Sequence, residues 1–341
     1  MSYTEWKDGY AIETTFKDGT TINDNADPWF LIGAISEESV WPSPTFSVSF
    51  APTGVNAREA AAGALWKGQA HLRGMLGITV QNGVICWLAM GKSTTTDDAP
   101  AATYNTHAIA PTTDGSLLPS VVFQHEEKGG ATNEEYQFQG VKFDSLVLSH
   151  DMSQGAPNVL LAKAEIMAGY AMDPTFAMTA DPALPPTANT QPFMSLTRSW
   201  DINGTPVSLD GLQSVDISII NAIEPLYAHS YDTGVYTGQW PYAFGEAARK
   251  MYRVDMILAK NTIERALWTE LIAASNTKDA SFKWARHATN DYIKVTVLDC
   301  QVAVHEIKTP PNNEDLVAVE LIPTSMTVEV VDQLEGASYG E

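Results

Sequence analysis

Short runs of alternating apolar and polar residues dominate the chain. Such runs, bounded by Gly, Pro, Asn and Asp, are typical of β-strands. The clearest are FSVSF (46–50), SVVF (120–123), VDISII (215–220), YIKVTVL (292–298), LVAVELI (316–322) and MTVEVV (326–331). Strands at this spacing, with few helical patterns between them, predict a mainly β fold of sandwich or barrel type.

Two segments have a helical pattern instead. In 261–275, apolar residues recur on one face at the helical period. Asn261 is a suitable N-cap, and Glu264 three positions later completes a capping pattern. A weaker helical candidate covers 83–92 and ends at Gly91. The sequence therefore predicts two helices, far apart in the chain.

One predicted strand, YQFQGVKFDSLVLSHD (136–151), changes parity in its middle. Val141 and Phe143 are apolar at odd positions, whereas Leu146 and Leu148 are apolar at even positions. Because the side-chain period of a strand is two, such a change needs an extra residue, as at a β-bulge. With Tyr292 aligned to Tyr136, the stretch 292–307 changes parity in the same manner. This shared irregularity predicts a repeat.

The order of other elements also repeats. TTFKDGTTI (14–22) and SWDINGTPV (199–207) each contain a hairpin turn signal followed by Thr. NVLLAKAEI (158–166) and EDLVAVELI (314–322) match at the same offset as the two Tyr residues. We predict two duplicated β-sandwich or barrel domains, each with one flanking α-helix. Their bounds are 1–170 for the first domain, 171–194 for a Pro-rich connector and 195–341 for the second domain.

The two predicted domains differ in their loops. The first has a long polar insertion at 93–119, and the second has one at 221–246 that is rich in aromatic residues. Loops of this length in a compact domain are usually functional or disordered, and aromatic side chains argue against disorder. The second insertion is therefore a candidate inter-subunit or inter-ring surface, although packing over its own domain is an equal alternative. Its candidate residues are Tyr227, Tyr231, Tyr236, Trp240 and Tyr242.

Charge and cysteine content narrow the function. The 41 acidic and 20 basic side chains give a formal charge of −21, which repels phosphate and disfavours nucleic-acid binding through a basic surface. Two cysteines are too few for a disulfide-stapled secreted domain. The N-terminus has no signal-peptide pattern, and GVICWLAM (83–90) is too short to span a bilayer. We expect a protein made in a cytoplasm, without a membrane segment.

Three short motifs resemble catalytic or binding signatures, but none has the context that the chemistry needs. GKST (91–94) lacks the preceding Gly of a phosphate-binding loop. DTG (232–234) has no second copy to share a proton, as an aspartic protease requires. HEE (125–127) puts His and Glu on opposite faces of a strand, so His125 is expected at the surface or at a strand end. We therefore predict no catalytic residue, metal or cofactor.

Four segments together resemble the tail tube proteins of long-tailed phages, of the two-domain type. They are LLPSVVFQHEEKGGATNEEYQFQGVKFDSLVLSHD (117–151), INGTPVSLDGLQSVDISIINAIEPLY (202–227), MYRVDMILAKNTIERALW (251–268) and LVAVELIP (316–323). The similarity of pattern and order extends over most of 45–335. The insertion 93–119 and the long connector are departures from the family.

The resemblance implies a structural virion protein rather than an enzyme. Family members form rings lined by β-strands, and the rings stack into a tube through which the genome passes. Two fused domains imply a trimeric ring with pseudo-sixfold symmetry. The implied partners are further copies of the chain, a tape-measure protein, and tail terminator and tip proteins. DNA would pass through the lumen without specific binding, and the protein would be located in the virus tail.

Two other function classes fit parts of the sequence. The first is a carbohydrate- or surface-binding β-sandwich module, whose binding face would be the aromatic loop 225–247. The second is a secreted hydrolase with a β-fold, which the absence of a secretion signal and of a catalytic set disfavours. Assembly size separates the first from a tube subunit, because a binding module is expected to stay monomeric.

Overall fold

A computed structural model describes most of the chain. The described residues are 5–13, 16, 33–36, 39–50, 65–99, 101, 103–112, 117–128, 134–152, 158–172, 191–202, 205–209, 211–227, 231–232, 235–236, 240–246, 250–259, 265–269, 278–286, 290–308 and 316–340. These residues form a mainly β structure, which confirms the predicted fold class at that level.

The strands of the first half are β1 (Glu5–Ile12), β2 (Ala34–Ile35), β3 (Val40–Phe50), β4 (Leu65–Thr79), β5 (Gly91–Thr96), β6 (Asn105–Pro111), β7 (Val121–Lys128), β8 (Glu134–Asp151), β9 (Leu161–Met167) and β10 (Tyr170–Met172). Those of the second half are β11 (Ser195–Ile202), β12 (Thr205–Ser208), β13 (Leu212–Ile220), β14 (Glu224–Leu226), β15 (Tyr231–Asp232), β16 (Val235–Tyr236), β17 (Ala243–Gly245), β18 (Met251–Ala259), β19 (Lys278–Ala285), β20 (Tyr292–Lys308), β21 (Leu316–Ile322) and β22 (Ser325–Asp332). Helix α1 covers Val84–Met90, α2 is described over 265–269, and a 3₁₀ helix covers Gly336–Tyr339.

One sheet runs through both halves of the chain, and we call it the shared sheet. Its antiparallel order is β3–β4–β9–β8–β13–β18–β21–β20, with the short β2 also beside β4. The first side sheet has the order β1–β7–β8–β10. The second side sheet has the order β12–β11–β19–β20–β22–β6–β5. Two strands, β8 and β20, therefore belong to two sheets each.

Each long strand passes between sheets at a residue of positive φ, which coincides with the predicted parity change in β20 but not in β8. The first part of β8 pairs with β7, and its second part pairs with β9 and β13. Gly140 lies at the transition with a φ of 62°. In β20, the transition lies at Asp299, whose φ is 50°. A residue with positive φ interrupts the alternation, so that one strand turns apolar side chains to the core from both sheets.

In β8 the predicted change between Phe143 and Leu146 is a bulge at Asp144, within the shared sheet and beyond the place where the strand leaves β7. The two parity changes are therefore not the same feature, and the expectation of a shared irregularity at these positions is wrong.

Buried side chains from all three sheets form one continuous core. Its largest members include Trp200, Trp284, Phe123, Phe143 and Phe282. Every side chain of α1 is also buried, because the helix lies between the sheets rather than on the surface. α1 ends where Gly91 adopts a left-handed conformation, with a φ of 100° that disfavours residues with a Cβ.

Most element predictions that lie on described residues are confirmed. The weaker helical candidate is α1, and residues 265–269 of the stronger one are helical. The hairpin predicted at 199–207 is the pair β11–β12, joined with Ile202 opposite Thr205. The hairpin predicted at 14–22 and the connector residues 173–190 lie outside the described residues.

Candidate assembly surfaces

The first insertion is largely a β-hairpin that joins the other half of the molecule. We call β5 and β6 the hairpin insertion. Strand β6 pairs with β22, with Ile109 opposite Val328 and Asn105 opposite Asp332. Residues that read as a polar loop at 93–119 therefore extend the second side sheet. The β-branched threonines 94–96 and the alternating burial of His107, Ala108 and Ile109 fit this ladder.

A buried polar cluster joins the hairpin insertion to the C-terminus. His107 Nε2 lies 3.1 Å from Asp332 Oδ1, and its ring stacks on Tyr339 with centroids 3.8 Å apart. The Tyr339 hydroxyl donates to Asp332 Oδ2 at 2.8 Å and accepts the N–H of Gly83 at 3.1 Å. Burial, followed by the charge of Asp332, raises the pKa of Tyr339 well above its ordinary value. The cluster thus links β6, β22, the 3₁₀ helix and the start of α1.

The second insertion, 221–246, belongs to the second half and contacts the first half, and we call it the aromatic insertion. Its first residues bind β8 at a register shift, where Asp144 is released from the ladder. The Asn221 N–H donates to Asp144 O at 2.8 Å, and the Ile223 N–H donates to Asp144 Oδ1 at 2.7 Å. Asn221 Nδ2 also donates to Phe143 O at 2.8 Å. The bulge in β8 therefore provides the attachment site of the aromatic insertion.

Two of the candidate aromatic residues contact the first half of the same chain. The Tyr227 hydroxyl donates to Ala70 O at 2.6 Å, and burial raises the pKa of Tyr227. Trp240 makes an edge-on contact with Tyr170, with ring centroids 4.8 Å apart. Tyr242 is 57% exposed.

The backbones of the remaining two candidates, Tyr231 and Tyr236, pair with each other in the small ladder β15–β16. Of the three candidates whose side chains are described, Tyr227 and Trp240 make contacts within the chain and Tyr242 is exposed. The assignment of the five candidates to an interface between copies stays a prediction.

A buried ion pair fixes the end of the aromatic insertion. Glu246 Oε1 lies 2.6 Å from Lys142 Nζ, and the Lys142 side chain is only 3% exposed. Both carboxylate oxygens of Glu246 also accept the N–H of Leu118. Nearby, Lys250 Nζ donates to Ala89 O and Asn221 Oδ1. Burial lowers the pKa of Lys250 to about 8, because few groups replace the water lost by its ammonium.

The shared sheet ends in two strands that pair on one side only among the described residues. At one end, β3 pairs with β4. At the other end, residues 301–308 of β20 pair with β21. Val40 on β3 is 56% exposed, and Val304 on β20 is 40% exposed. Unpaired strand edges with exposed apolar side chains are typical sites of strand addition.

The face of the shared sheet that lies opposite the core carries mixed charge with an acidic excess. Arg253 lies near the middle of this face and binds Asp255 at 2.7 Å and Glu320 at 3.3 Å. Ser149 donates to Asp216 on the neighbouring strand. Among residues whose side chains are described, those that alternate onto this face are Arg73, Lys163 and Arg253 against Asp151, Glu165, Asp216, Asp255, Glu306 and Glu320.

The motifs that resembled chemistry occupy structural positions. GKST lies in β5. His125 is 9% exposed and lies 2.5 Å from Asp8, so its expected surface position is wrong. The ring of Trp41 packs against it, with ring centroids 5.1 Å apart. Cys86 and Cys300 are both buried free thiols, as expected for small core residues. Over the described ranges, no group of three His, Cys, Asp or Glu side chains could hold a metal ion.

Sequence reasoning missed the polar residues that join the two halves. Lys142, Asp144 and Glu246 lie in elements that read as an ordinary strand and a loop. A signal was present in "GVKFDS", where a lysine and an aspartate flank Phe143 at the parity change. A charged residue beside a bulge is often held by a partner from elsewhere in the chain.

Comparison with solved structures finds a weak likeness to a phage tail tube. The chain is similar to the SPP1 tail tube, solved by solid-state NMR and cryo-EM, over 40% of this chain and 76% of that one. The sequence identity is 8% and the TM-score is 0.27. No protein family model matches the sequence, and neither does any curated protein. In the described part of the chain, no helix is long and apolar enough to cross a membrane.

Proposed function

We propose that this chain is the major tail tube subunit of a long-tailed virus and that it polymerises into stacked rings around a DNA-conducting channel. The observation that carries the proposal is the shared sheet, which runs through both halves and ends in two open edges. A sheet of this kind can continue from one copy of the chain into the next. The role is structural and requires no catalytic group.

The two halves are best explained as a duplicated domain. Phe143 pairs with Ile166 immediately before one register shift, and Val302 pairs with Leu321 immediately before the other. Each long strand also reaches its second sheet through a residue of positive φ. Superposing these features aligns Gly140 with Asp299. The sequence alignment of Tyr136 with Tyr292 instead places Gly140 opposite Thr296, three positions earlier. On this proposal, the two halves would have kept a common backbone register while their sequences diverged.

Duplication supplies a template for the contact between copies. Within the chain, β8 of the first half pairs with β13 of the second, and Ser145 lies opposite Ile220. By the same superposition, Val304 of β20 corresponds to Ser145, and Thr45 of β3 corresponds to Ile220. A copy-to-copy junction of β20 with β3 of the next molecule would reproduce the internal junction. Three copies would then close a ring of six similar units.

In such a ring, the face of the shared sheet opposite the core lines the channel. Its acidic excess disfavours retention of DNA, because phosphates and carboxylates repel one another within a Debye length. A tape-measure protein would occupy the channel before the genome, and terminator and tip proteins would cover its ends. These partners follow from the proposed role in a virion.

A carbohydrate-binding module is the less favoured alternative. Such a module needs aromatic rings free to stack on a sugar, and Trp240 is packed edge-on against Tyr170. Tyr227 uses its hydroxyl on Ala70 O. Among the aromatic residues of this insertion whose side chains the structure describes, Tyr242 alone is largely exposed. A single exposed ring is a poor basis for a sugar site.

Disulfide trapping tests the proposed ring directly. Ser145 and Ile220 form a pair in which neither residue bonds to the other, and Cα atoms in such pairs lie about 4.5 Å apart, within disulfide reach. Thr45→Cys on one copy and Val304→Cys on another should therefore cross-link at high protein concentration. We expect covalent dimers when the two single variants are mixed and closed trimers from the double variant. Non-reducing gels and negative-stain images measure both.

The matched control moves the cysteine on β3 by two residues, from position 45 to position 43. Ser43→Cys with Val304→Cys leaves both thiols on the same face but out of register, so cross-linking should fall several-fold. Equal cross-linking of both pairs would indicate collision rather than a defined junction. Monomers alone, without cross-links at any concentration, would overturn the tube proposal.

A further inference from the structure

The outer edge of β3 carries a proline at a position that faces the proposed junction. Leu72 O accepts the N–H of Ala168 at 3.0 Å, so the backbone groups of Leu72 face β9. Those of its neighbours, His71 and Arg73, therefore face β3, where they lie opposite Thr45 and Ser43. Between these two, Pro44 turns its backbone to the open edge. Proline has no N–H, so this edge lacks a donor there.

The corresponding position of the internal junction does have a donor. The Asn221 N–H donates to Asp144 O, which shows that odd-numbered residues of β13 face β8. Ile219 is such a residue, and it lies opposite Leu146. Ile219 lies opposite Tyr252 on β18, and Pro44 lies opposite Leu72 on β4. Because Tyr252 and Leu72 correspond when the two halves are superposed, Ile219 and Pro44 correspond as well. The internal junction thus has an N–H at a position where the outer edge has none.

Pro42 does not have the same role. It lies within the register shift between Val40 and Ser43, and its nitrogen is close to the backbone of Gly74. A Cβ at Gly74 would come within 2.8 Å of that nitrogen. Pro42 is therefore explained by its fit to β4.

We infer that Pro44 makes the junction between copies weaker than the otherwise similar junction within the chain, so that free subunits associate little at low concentration. This inference rests on the proposed function, because it assumes that β20 pairs with β3 of another copy. When the two strands pair, the C=O of His305, which corresponds to Leu146, finds no donor on Pro44. Loss of one hydrogen bond in a pair of this kind weakens association by about tenfold.

Replacing the proline with the residue of the internal junction tests this inference. Pro44→Ile supplies the missing N–H on an exposed strand edge and should lower the concentration at half-association about tenfold. Sedimentation velocity over a concentration series gives this midpoint. The matched control is Pro206→Ile, which makes the same change on β12, an exposed edge strand of the second side sheet. The control should leave the midpoint unchanged.

The cysteine pair distinguishes failure of this inference from failure of the proposed function. In-register cross-linking of Thr45→Cys with Val304→Cys, together with an unchanged midpoint for Pro44→Ile, would overturn the inference and leave the ring intact. Absence of cross-links with and without Pro44→Ile would overturn both. If Pro44→Ile gives irregular aggregates that cross-link equally through Ser43→Cys and Thr45→Cys, Pro44 protects the edge from non-specific pairing, and the inference is wrong.

Discussion

At the scale of single residues, the charged groups beneath the aromatic insertion are the most sensitive points of the fold. Lys142 is almost fully buried, and its charge is balanced by Glu246 from the other half of the chain. A buried charge that loses its partner retains its desolvation cost without the compensating attraction. The pair therefore couples the attachment of the insertion to the stability of β8.

Removing the negative partner should be costly. Glu246→Gln leaves Lys142 uncompensated and should lower the free energy of unfolding by about 3 kcal/mol, measured by chemical denaturation. Adding Lys142→Met to the same chain should recover much of the loss, because the uncompensated charge of Lys142 is then removed as well. The exposed pair of Arg253 and Asp255 provides the control, and Arg253→Gln should change stability by less than about 1 kcal/mol. Equal effects of the two single variants would contradict this account.

Lys250 gives the stability a pH dependence of known sign. Its pKa in the folded protein is about 8, below its ordinary value of 10.5. Between these values the unfolded chain binds more protons, so stability rises with pH from about 8 to 10.5. Lys250→Met should remove this contribution, and the stability difference between wild type and variant should grow in favour of wild type across that range. A difference independent of pH would show that the ammonium is not desolvated.

At the scale of elements, the hairpin insertion depends on the cluster around Asp332. Tyr339→Phe removes a hydroxyl that both donates to Asp332 and accepts the Gly83 N–H, leaving two buried groups short of partners. We expect a loss of about 1–3 kcal/mol in the free energy of unfolding. Tyr292→Phe is the control, because its hydroxyl binds Glu329 at the surface, and it should cost within about 0.5 kcal/mol.

Local pattern predicted elements better than it predicted their partners. The strands of β13, β21 and β22 and helix α1 follow from periodicity and from Gly91, which are properties of neighbouring residues. The parity change in β8 was also visible, because a bulge disturbs a period of two. The pairing of β6 with β22 could not be predicted from the sequence, because the two strands are more than two hundred positions apart and nothing in NTHAIAP specifies its partner.

The candidate residues show the same division. Tyr227 and Trp240 are candidates because aromatic side chains argue against a disordered loop, and both make specific contacts within the chain. Asp144 and Glu246 were not selected, because their importance comes from groups brought close by folding. Charge alone does not reveal a partner in an acidic sequence with many carboxylates.

At the scale of the whole molecule, each of the two insertions packs on the half of the chain to which it does not belong. The hairpin insertion lies on β22, and the aromatic insertion lies on β4, β8 and β10. Together with the internal β8–β13 ladder, this reciprocal packing favours two halves that move as one body. A rigid pair of halves leaves only one kind of junction to be formed between copies, which is a simple requirement for ring closure.

The channel face provides a last prediction, which belongs to the assembled tube. If the acidic face of the shared sheet lines the lumen, Glu165→Lys with Glu306→Lys should make tubes retain a short fluorescent DNA duplex at low salt. Retention should fall steeply as salt rises, since binding through phosphates releases counterions. Asp97→Lys with Glu335→Lys changes the charge equally at exposed positions elsewhere and should retain far less DNA at equal tube concentration. Equal retention by both variants, measured by co-sedimentation, would place the acidic face outside the channel.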